Sequence, residues 1–249
     1  MNSLKNIFGR LLRPGRPNVK NESLLDNVYG HGLSRSLGKP VNKDEAVIPW
    51  YTYSAIEFVD QFDLNQKTVF EWGCGNSSLF FAERAAKVIS VEHDMSWYEQ
   101  MRSVLKSNQE LKYVTLEQYP GSIKDYGKKF DIIVIDGQRR FDCVRSITSF
   151  LKEDGMVILD NSDWFYLSAA FLREELGLVQ VDFHGFGPIN AYTWTTSVFF
   201  TREFRFPLKK GRQPVNPTGG LLHDERSIIE DEDGIYHTNN SKWVESNVG

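Results

Sequence analysis

Apolar residues along this chain recur with two periods. Between residues 45 and 206, short runs rich in Val, Ile and Phe alternate with stretches whose apolar positions fall three and four apart, the pattern of buried strands joined by amphipathic helices. In order, "IPWYTYSAIEFVDQF" predicts a helix that leads in, "KTVFEWG" a first strand, "SSLFFAERAA" a helix and "KVISVEHD" a second strand. "MSWYEQMRSVLKSNQ" predicts the next helix, "KYVTLEQY" a third strand, "FDIIVIDG" a fourth, "CVRSITSFLKED" a helix and "GMVILDNSD" a fifth strand. After a helix over "WFYLSAAFLREELG" the pattern changes, and "LVQVDFHGFG" and "TWTTSVFFTREF" predict two strands joined by a loop. Such alternation builds a parallel sheet covered by helices on both faces through right-handed crossovers. The expected fold is α/β: a doubly wound, mostly parallel, seven-stranded sheet that ends in an antiparallel hairpin.

The flanks read differently. Residues 1–44 form a basic N-terminal segment, with eight Lys or Arg over residues 1–43 against Glu22 and Asp26. Within it Leu4, Ile7, Phe8, Leu11 and Leu12 recur at helical spacing. That suits a terminal helix packed on the domain, or one resting through residues 1–16 on an anionic membrane surface or a protein partner. From Pro207 the chain turns polar and then acidic, through "KKGRQPVNPTGG" to "DERSIIEDEDG", so residues 207–249 read as an extended or disordered tail. Over the whole chain 29 Lys and Arg face 33 Asp and Glu, a formal net charge of -4. No nucleic-acid partner is expected, because phosphate binding needs clustered positive charge. Cys74 and Cys143 make neither a CxxC pair nor a disulfide framework, which fits a reducing cytoplasm. There is no run of about 18 apolar residues to span a membrane, and the first residues lack the apolar core of a secretory signal. A soluble protein is expected.

Chemistry concentrates where strands end. In "VFEWGCGNSS", residues 69–78, a strand breaks into small residues. Gly73 and Gly75 leave backbone bare at the carboxyl edge, where doubly wound sheets bind ligands. Asn76, Ser77 and Ser78 follow, able to cap the next helix and to offer polar groups. Glu92 closes the second strand, where a carboxylate can accept from both hydroxyls of a ribose. A dinucleotide fingerprint needs a third glycine near position 78, which is Ser78 here, so an NAD-type oxidoreductase is disfavoured. Glu71, read as part of the loop, repels a pyrophosphate and suits an amino group or a sulfonium.

"VFEWGCGNSS", "VISVEHD", "FDIIVIDG" and "MVILDNSD" together resemble the successive motifs of class I S-adenosylmethionine-dependent methyltransferases, over residues 45–206. The glycine loop, "IDGQRRFDC" and "DFHGFGPINAYTWTTSVFF" are similar to a bacterial group often associated with glycan or polysaccharide modification. The resemblance implies a Rossmann-like fold and S-adenosyl-L-methionine as cofactor, with a small-molecule or glycan acceptor methylated on oxygen. It puts Gly73 and Gly75, with Cys74, Asn76, Ser77 and Ser78, against the methionine part, Glu71 opposite the amino group, Glu92 on the ribose and His93 beside the adenine. Asp136 completes the cofactor set.

Deprotonating a hydroxyl acceptor calls for a carboxylate, a histidine or a metal near the methyl, and Asp136, Asp160 and His184 are the candidates. Asp136 with Asp160 and Asn161 also resembles the Mg2+ site of metal-dependent O-methyltransferases, except that the lysine often found after the first aspartate is absent from "DGQRRF". Of the aromatics, Trp50, Tyr51 and Tyr53 read as core or as a face toward the sulfonium. Trp164, Phe165, Tyr166, Phe186, Tyr192 and Trp194 read as core or as a sugar-stacking wall, and Arg139 and Arg140 as solvated or as contacts to an acidic substrate. The alternative reading is a module that keeps the fold and the cofactor without catalysis.

Overall fold

The computed structural model describes residues 21–211, 213–222, 229–230, 236–237 and 242–243. The proposed contact through residues 1–16 lies outside them. Among the described residues three helices lead in: α1 (Asn21–Asn27), α2 (His31–Leu37) and α3 (Tyr53–Asp60). Then come β1 (Thr68–Trp72), α4 (Asn76–Ala82), β2 (Lys87–Glu92), α5 (Met95–Arg102) and β3 (Gln109–Tyr113). A 3-10 helix (Tyr119–Tyr126) precedes β4 (Phe130–Ile135), α6 (Arg140–Ser146) and β5 (Leu151–Asp160). α7 (Tyr166–Ala170) continues as one π-helical stretch (Phe171–Glu175) before β6 (Val179–Gly185) and β7 (Trp194–Phe200). The strands form one seven-stranded sheet in the order β3-β2-β1-β4-β5-β7-β6. Pairing is parallel from β3 to β5, and β7 runs antiparallel to both β5 and β6. The expected Rossmann-like architecture with its terminal hairpin is the observed one.

Strand side chains alternate between two cores. Val69, Val88, Val134, Ile158 and Val198 pack with α3 and α4 on one face. Phe70, Ile89, Ile133, Val157 and Phe199 pack on the other against Tyr119, Ile123, Val144 and Leu172. Both faces being covered explains why these strands read as continuous apolar runs.

Several element boundaries differ from expectation, among them the helix expected over residues 95–109, which ends at Arg102, with Gln109 already opening β3. The lead-in helix starts only at Tyr53, because the backbone N–H of Thr52 donates to Thr196 Oγ1 (3.0 Å) and its hydroxyl to the Phe183 carbonyl. β3 ends at Tyr113, since Thr115 and Gln118 bond each other and the 3-10 helix begins around Pro120. The helix expected through residue 154 stops at Ser146, and residues 151–154 open β5 instead. There Leu151 pairs with Phe130, and Lys152 reaches the buried Asp131 at 2.8 Å.

Packing extends on both sides of residues 45–206. Ser34 and Val41 are buried, and so is Thr218. Within residues 207–249, Leu221–Leu222 pairs with Lys242–Trp243, and Ile229–Glu230 with Tyr236–His237. Among the described residues no helix is long and apolar enough to cross a membrane.

Candidate functional site

Continuing the period of two along each strand shows how the site is made. On the face covered by α3 and α4, Val69 is followed by Glu71, Val88 by Ser90 and Glu92, Val134 by Asp136, and Ile158 by Asp160. Each strand that is apolar in its body turns polar on this face at its carboxyl end. The parallel register then brings four carboxylates from four strands to one edge of the sheet.

Glu71 lies inside β1 rather than in the loop, and is 1% exposed. Ser77 and Ser78 at the start of α4 donate to its two oxygens, and Ser90 Oγ adds a third bond at 2.9 Å. Ser77 and Ser78 are thus buried and committed to Glu71, and Ser78 Oγ also accepts the Gly75 N–H at 3.0 Å. Burial, opposed by these hydrogen bonds, raises the Glu71 pKa to about 7.

The turn between β1 and α4 is bare. Gly73 has φ +98°, a region other residues rarely enter, and a Cβ there would sit 3.3 Å from the Asp136 carbonyl. A Cβ at Gly75 would meet nothing within 4 Å, so that glycine borders open space. Cys74 offers its carbonyl to Trp97 Nε1 (2.6 Å) and its thiol to Glu92 Oε2 (3.7 Å). Asn76 Nδ2 donates to the Pro40 carbonyl at 2.7 Å.

Glu92 Oε1 accepts the backbone N–H groups of His93 and Asp94 at 2.7 and 2.8 Å, which holds the carboxylate rigid and leaves Oε2 to the weak thiol donor. His93 Nδ1 lies 3.0 Å from Glu92 Oε1 without the alignment of a hydrogen bond, and its ring meets the edge of Tyr119 at 5.2 Å.

Asp136 and Asp160 follow neighbouring strands, as expected. Asp160 is 4% exposed, and its Oδ1 accepts Trp194 Nε1 at 3.0 Å and Thr196 Oγ1 at 2.5 Å. Burial, then the charge of Asp136, raises its pKa to about 8. Asp136 keeps 24% of its side chain exposed. Its pKa is raised as well, by enclosure in the site, with Arg140 opposing. The phenol of Tyr51, fully buried, faces Glu71, Asp136 and Asp160, and burial and those charges push its pKa up.

Arg140 is not solvated as expected but 9% exposed. Its guanidinium donates to Asp136 Oδ1 (3.1 Å), Asn161 Oδ1 (3.2 Å), the Gly137 carbonyl (2.9 Å) and the Asp160 carbonyl. Phe165 covers it, with 4.4 Å between the guanidinium carbon and the ring centroid. The expected Mg2+ ligands therefore do not fit a divalent ion, because a cation already fills the space between them. Among the described residues no group of three or more His, Cys, Asp or Glu converges as metal ligands.

His184 does not join the acids. It pairs with Thr195 across β6 and β7 and bonds Thr195 Oγ1 at 2.7 Å, while Thr196, one residue on and facing the other way, holds Asp160. Among the aromatics, Tyr51, Tyr53 and Trp194 are buried. Trp164, Tyr166, Phe186 and Tyr192 are exposed, and Trp164 stacks on Tyr192, which meets the edge of Trp194. Arg139 is exposed and pairs with Asp142.

Sequence reasoning did not single out Ser90 or Thr196, although both stand at alternate positions from apolar core residues on the acidic face. It also missed Trp97.

No protein-family profile and no curated protein matches the chain. Solved structures do. The precorrin-6y C5,15-methyltransferase of Geobacter metallireducens is 15% identical over 59% of this chain and 86% of its own, with a TM-score of 0.49. The fibrillarin pre-rRNA processing protein of Methanococcus jannaschii is 14% identical over 61% and 75%, at 0.45. The N-methyltransferase NodS of Bradyrhizobium japonicum is 12% identical over 54% and 85%, at 0.41. The strand order, with β7 entering antiparallel between β5 and β6, is that of a Rossmann-like, mostly parallel α/β sheet closed by an antiparallel hairpin.

Proposed function

We propose that this chain is an S-adenosylmethionine-dependent methyltransferase that methylates oxygen of a saccharide or related small molecule. The observation that carries the reading is the one-faced set of Glu71, Glu92, Asp136 and Asp160 around the bare Gly73–Gly75 turn. A carboxylate cluster of this kind favours a cationic ligand and disfavours a pyrophosphate. Bound S-adenosylmethionine supplies an activated methyl group on a sulfonium.

The residues divide the work. Glu71 faces the ligand's amino group, and Gly73, Cys74, Gly75 and Asn76 admit its methionine part against backbone. Ser77 and Ser78 act through Glu71. Glu92 Oε2 accepts from the ribose hydroxyls, and His93 with Tyr119 borders the base. Asp136, the most accessible of the buried acids, takes the proton of the acceptor hydroxyl. Asp160, fixed by Trp194 and Thr196, shapes the acceptor side. The exposed Trp164 and Tyr192 offer flat faces to a sugar ring. The Cys74 thiol bonds Glu92 only while reduced, which suits a cytoplasmic setting.

The test is calorimetric titration with S-adenosylhomocysteine and with NAD. The reading expects binding of the first and none of the second, abolished in Gly75→Val while the circular dichroism spectrum is kept. NAD binding in place of S-adenosylhomocysteine would refute it. Transfer of a labelled methyl to a panel of sugar and phenol acceptors then tests the oxygen assignment.

A further inference from the structure

Four oxygens converge at the head of α6: one from the Asp136 carboxylate, the Asn161 carboxamide, and the Gly137 and Asp160 carbonyls. Hard oxygens of this kind are what a magnesium ion takes as ligands. Here they all accept N–H groups of one guanidinium. The local fold fixes it there: Arg139 adopts a left-handed conformation (φ 50°), so the next residue, Arg140, starts α6 and turns back over the ends of β4 and β5. Phe165 closes over the outer face. A second cation cannot enter without expelling the first, since like charges at contact distance in a buried site repel strongly. The guanidinium cannot give up its proton to make room.

We propose that Arg140 serves as a built-in cation in the place a divalent ion would hold, so that the acceptor oxygen is oriented by protein alone and the reaction is metal-independent. The inference rests on the methyltransferase reading for the word acceptor, and on this geometry for the rest. The bonds described leave one Nη2 hydrogen of Arg140 for an incoming oxygen, beside Asp136 Oδ1, which Nη2 already holds. A charged donor fixed in advance favours an oxygen that becomes negative as its proton leaves.

Manganese, which is paramagnetic, reports the site without turnover. The native chain is titrated with Mn2+, with and without saturating S-adenosylhomocysteine, and the free-ion signal is followed by electron paramagnetic resonance. The expected result is no loss of free-ion signal for the native chain in either condition. One Mn2+ bound per chain and displaced by Mg2+ would overturn the proposal. Arg140→Ala is expected to gain Mn2+ binding that a further Asp136→Asn change removes, and an Arg140→Ala protein that binds S-adenosylhomocysteine but no Mn2+ also overturns it. Arg140→Lys, which keeps a charge in place, is expected to exclude Mn2+ as the native chain does, and Mn2+ uptake there counts against the proposal whatever the fate of the alanine variant. Absence of S-adenosylhomocysteine binding refutes the methyltransferase reading instead, and leaves the ligand-free Mn2+ titration readable.

Discussion

Glu71 shows how one side chain can tie stability to ligand. Its pKa in the folded chain is raised from the ordinary 4.5 to about 7 by burial, against three serine hydrogen bonds. The unfolded chain therefore loses this proton first as pH rises, and the native state loses stability between about pH 4.5 and 7, by about 3 kcal/mol in total for this group. Asp160, raised to about 8, acts in the same direction to higher pH. Urea unfolding of the ligand-free chain should show falling midpoints across this range, with a shallower fall in Glu71→Gln. A bound ammonium favours ionised Glu71, so binding near pH 7 should release protons, read as a dependence of calorimetric heat on buffer ionisation enthalpy. Equal heats in two such buffers would detach Glu71 from the ligand. Gly137 is a second sharp position: a Cβ there would lie 1.9 Å from the hydroxyl of the fully buried Tyr119 and 3.0 Å from the Trp72 carbonyl. Gly137→Ala should cost about 1–3 kcal/mol by overpacking. Tyr119→Phe in that background should restore part of the loss, which thermal melts of the pair would show.

At the scale of elements, the amino end of the sheet is held by Asp131. This residue, 3% exposed, accepts the Thr68 N–H and hydroxyl and Lys152 Nζ, each at 2.8 Å, and so joins β1, β4 and β5. Burial works against its charge, but the bonds from Lys152 and Thr68 win and keep its carboxyl below the ordinary 3.8. Its contribution is therefore present above that pH and lost as pH falls through the lower folded value. Asp131→Ala should cost about 1–3 kcal/mol, mainly by leaving the Thr68 N–H and hydroxyl unmatched, since Lys152 can turn to water, measured as a lowered urea midpoint at neutral pH. The same residue explains an unreadable boundary. "LKED" has helical composition and becomes strand only because Lys152 finds Asp131 and Leu151 pairs with Phe130. β3 shifted for another reason: it is an edge strand whose side chains are partly or fully exposed, so no apolar run marks it. The central strands and the acids that end them were legible because a short run of Val, Ile and Phe that closes on an acid needs no partner to be read. Arg140 was not, because only the left-handed turn at Arg139 sends its side chain inward.

The whole molecule joins the two sides of the site through a segment outside the alternating core. His31, 7% exposed, has its Nδ1 3.0 Å from the Gly187 carbonyl in the loop between β6 and β7, and meets the edges of Tyr53 and Phe186. The Tyr29 hydroxyl shares its one hydrogen between Glu57 Oε1 on α3 at 2.9 Å and the Thr218 carbonyl at 3.1 Å. The Pro40 carbonyl accepts Asn76 Nδ2, which belongs to the first residue of α4 after the glycine turn. Residues 29–40 thus strap the Gly73–Gly75 turn to the loop that carries the exposed Phe186 and Tyr192. A strap of a few buried bonds, each contributing about 1 kcal/mol, should be felt at both ends. Removing residues 1–44 should lower the melting temperature by more than about 5 °C, given roughly 2–4 °C per kcal/mol for a chain of this size. Asn76→Ala, which cuts the strap at one point, should weaken S-adenosylhomocysteine binding by about tenfold, the equivalent of ~1.4 kcal/mol, while His31→Ala should lower stability with a smaller effect on that affinity. Calorimetry and melts on the three proteins separate these effects. An Asn76→Ala protein with native affinity would show that the strap only packs, and does not hold the glycine turn for a ligand.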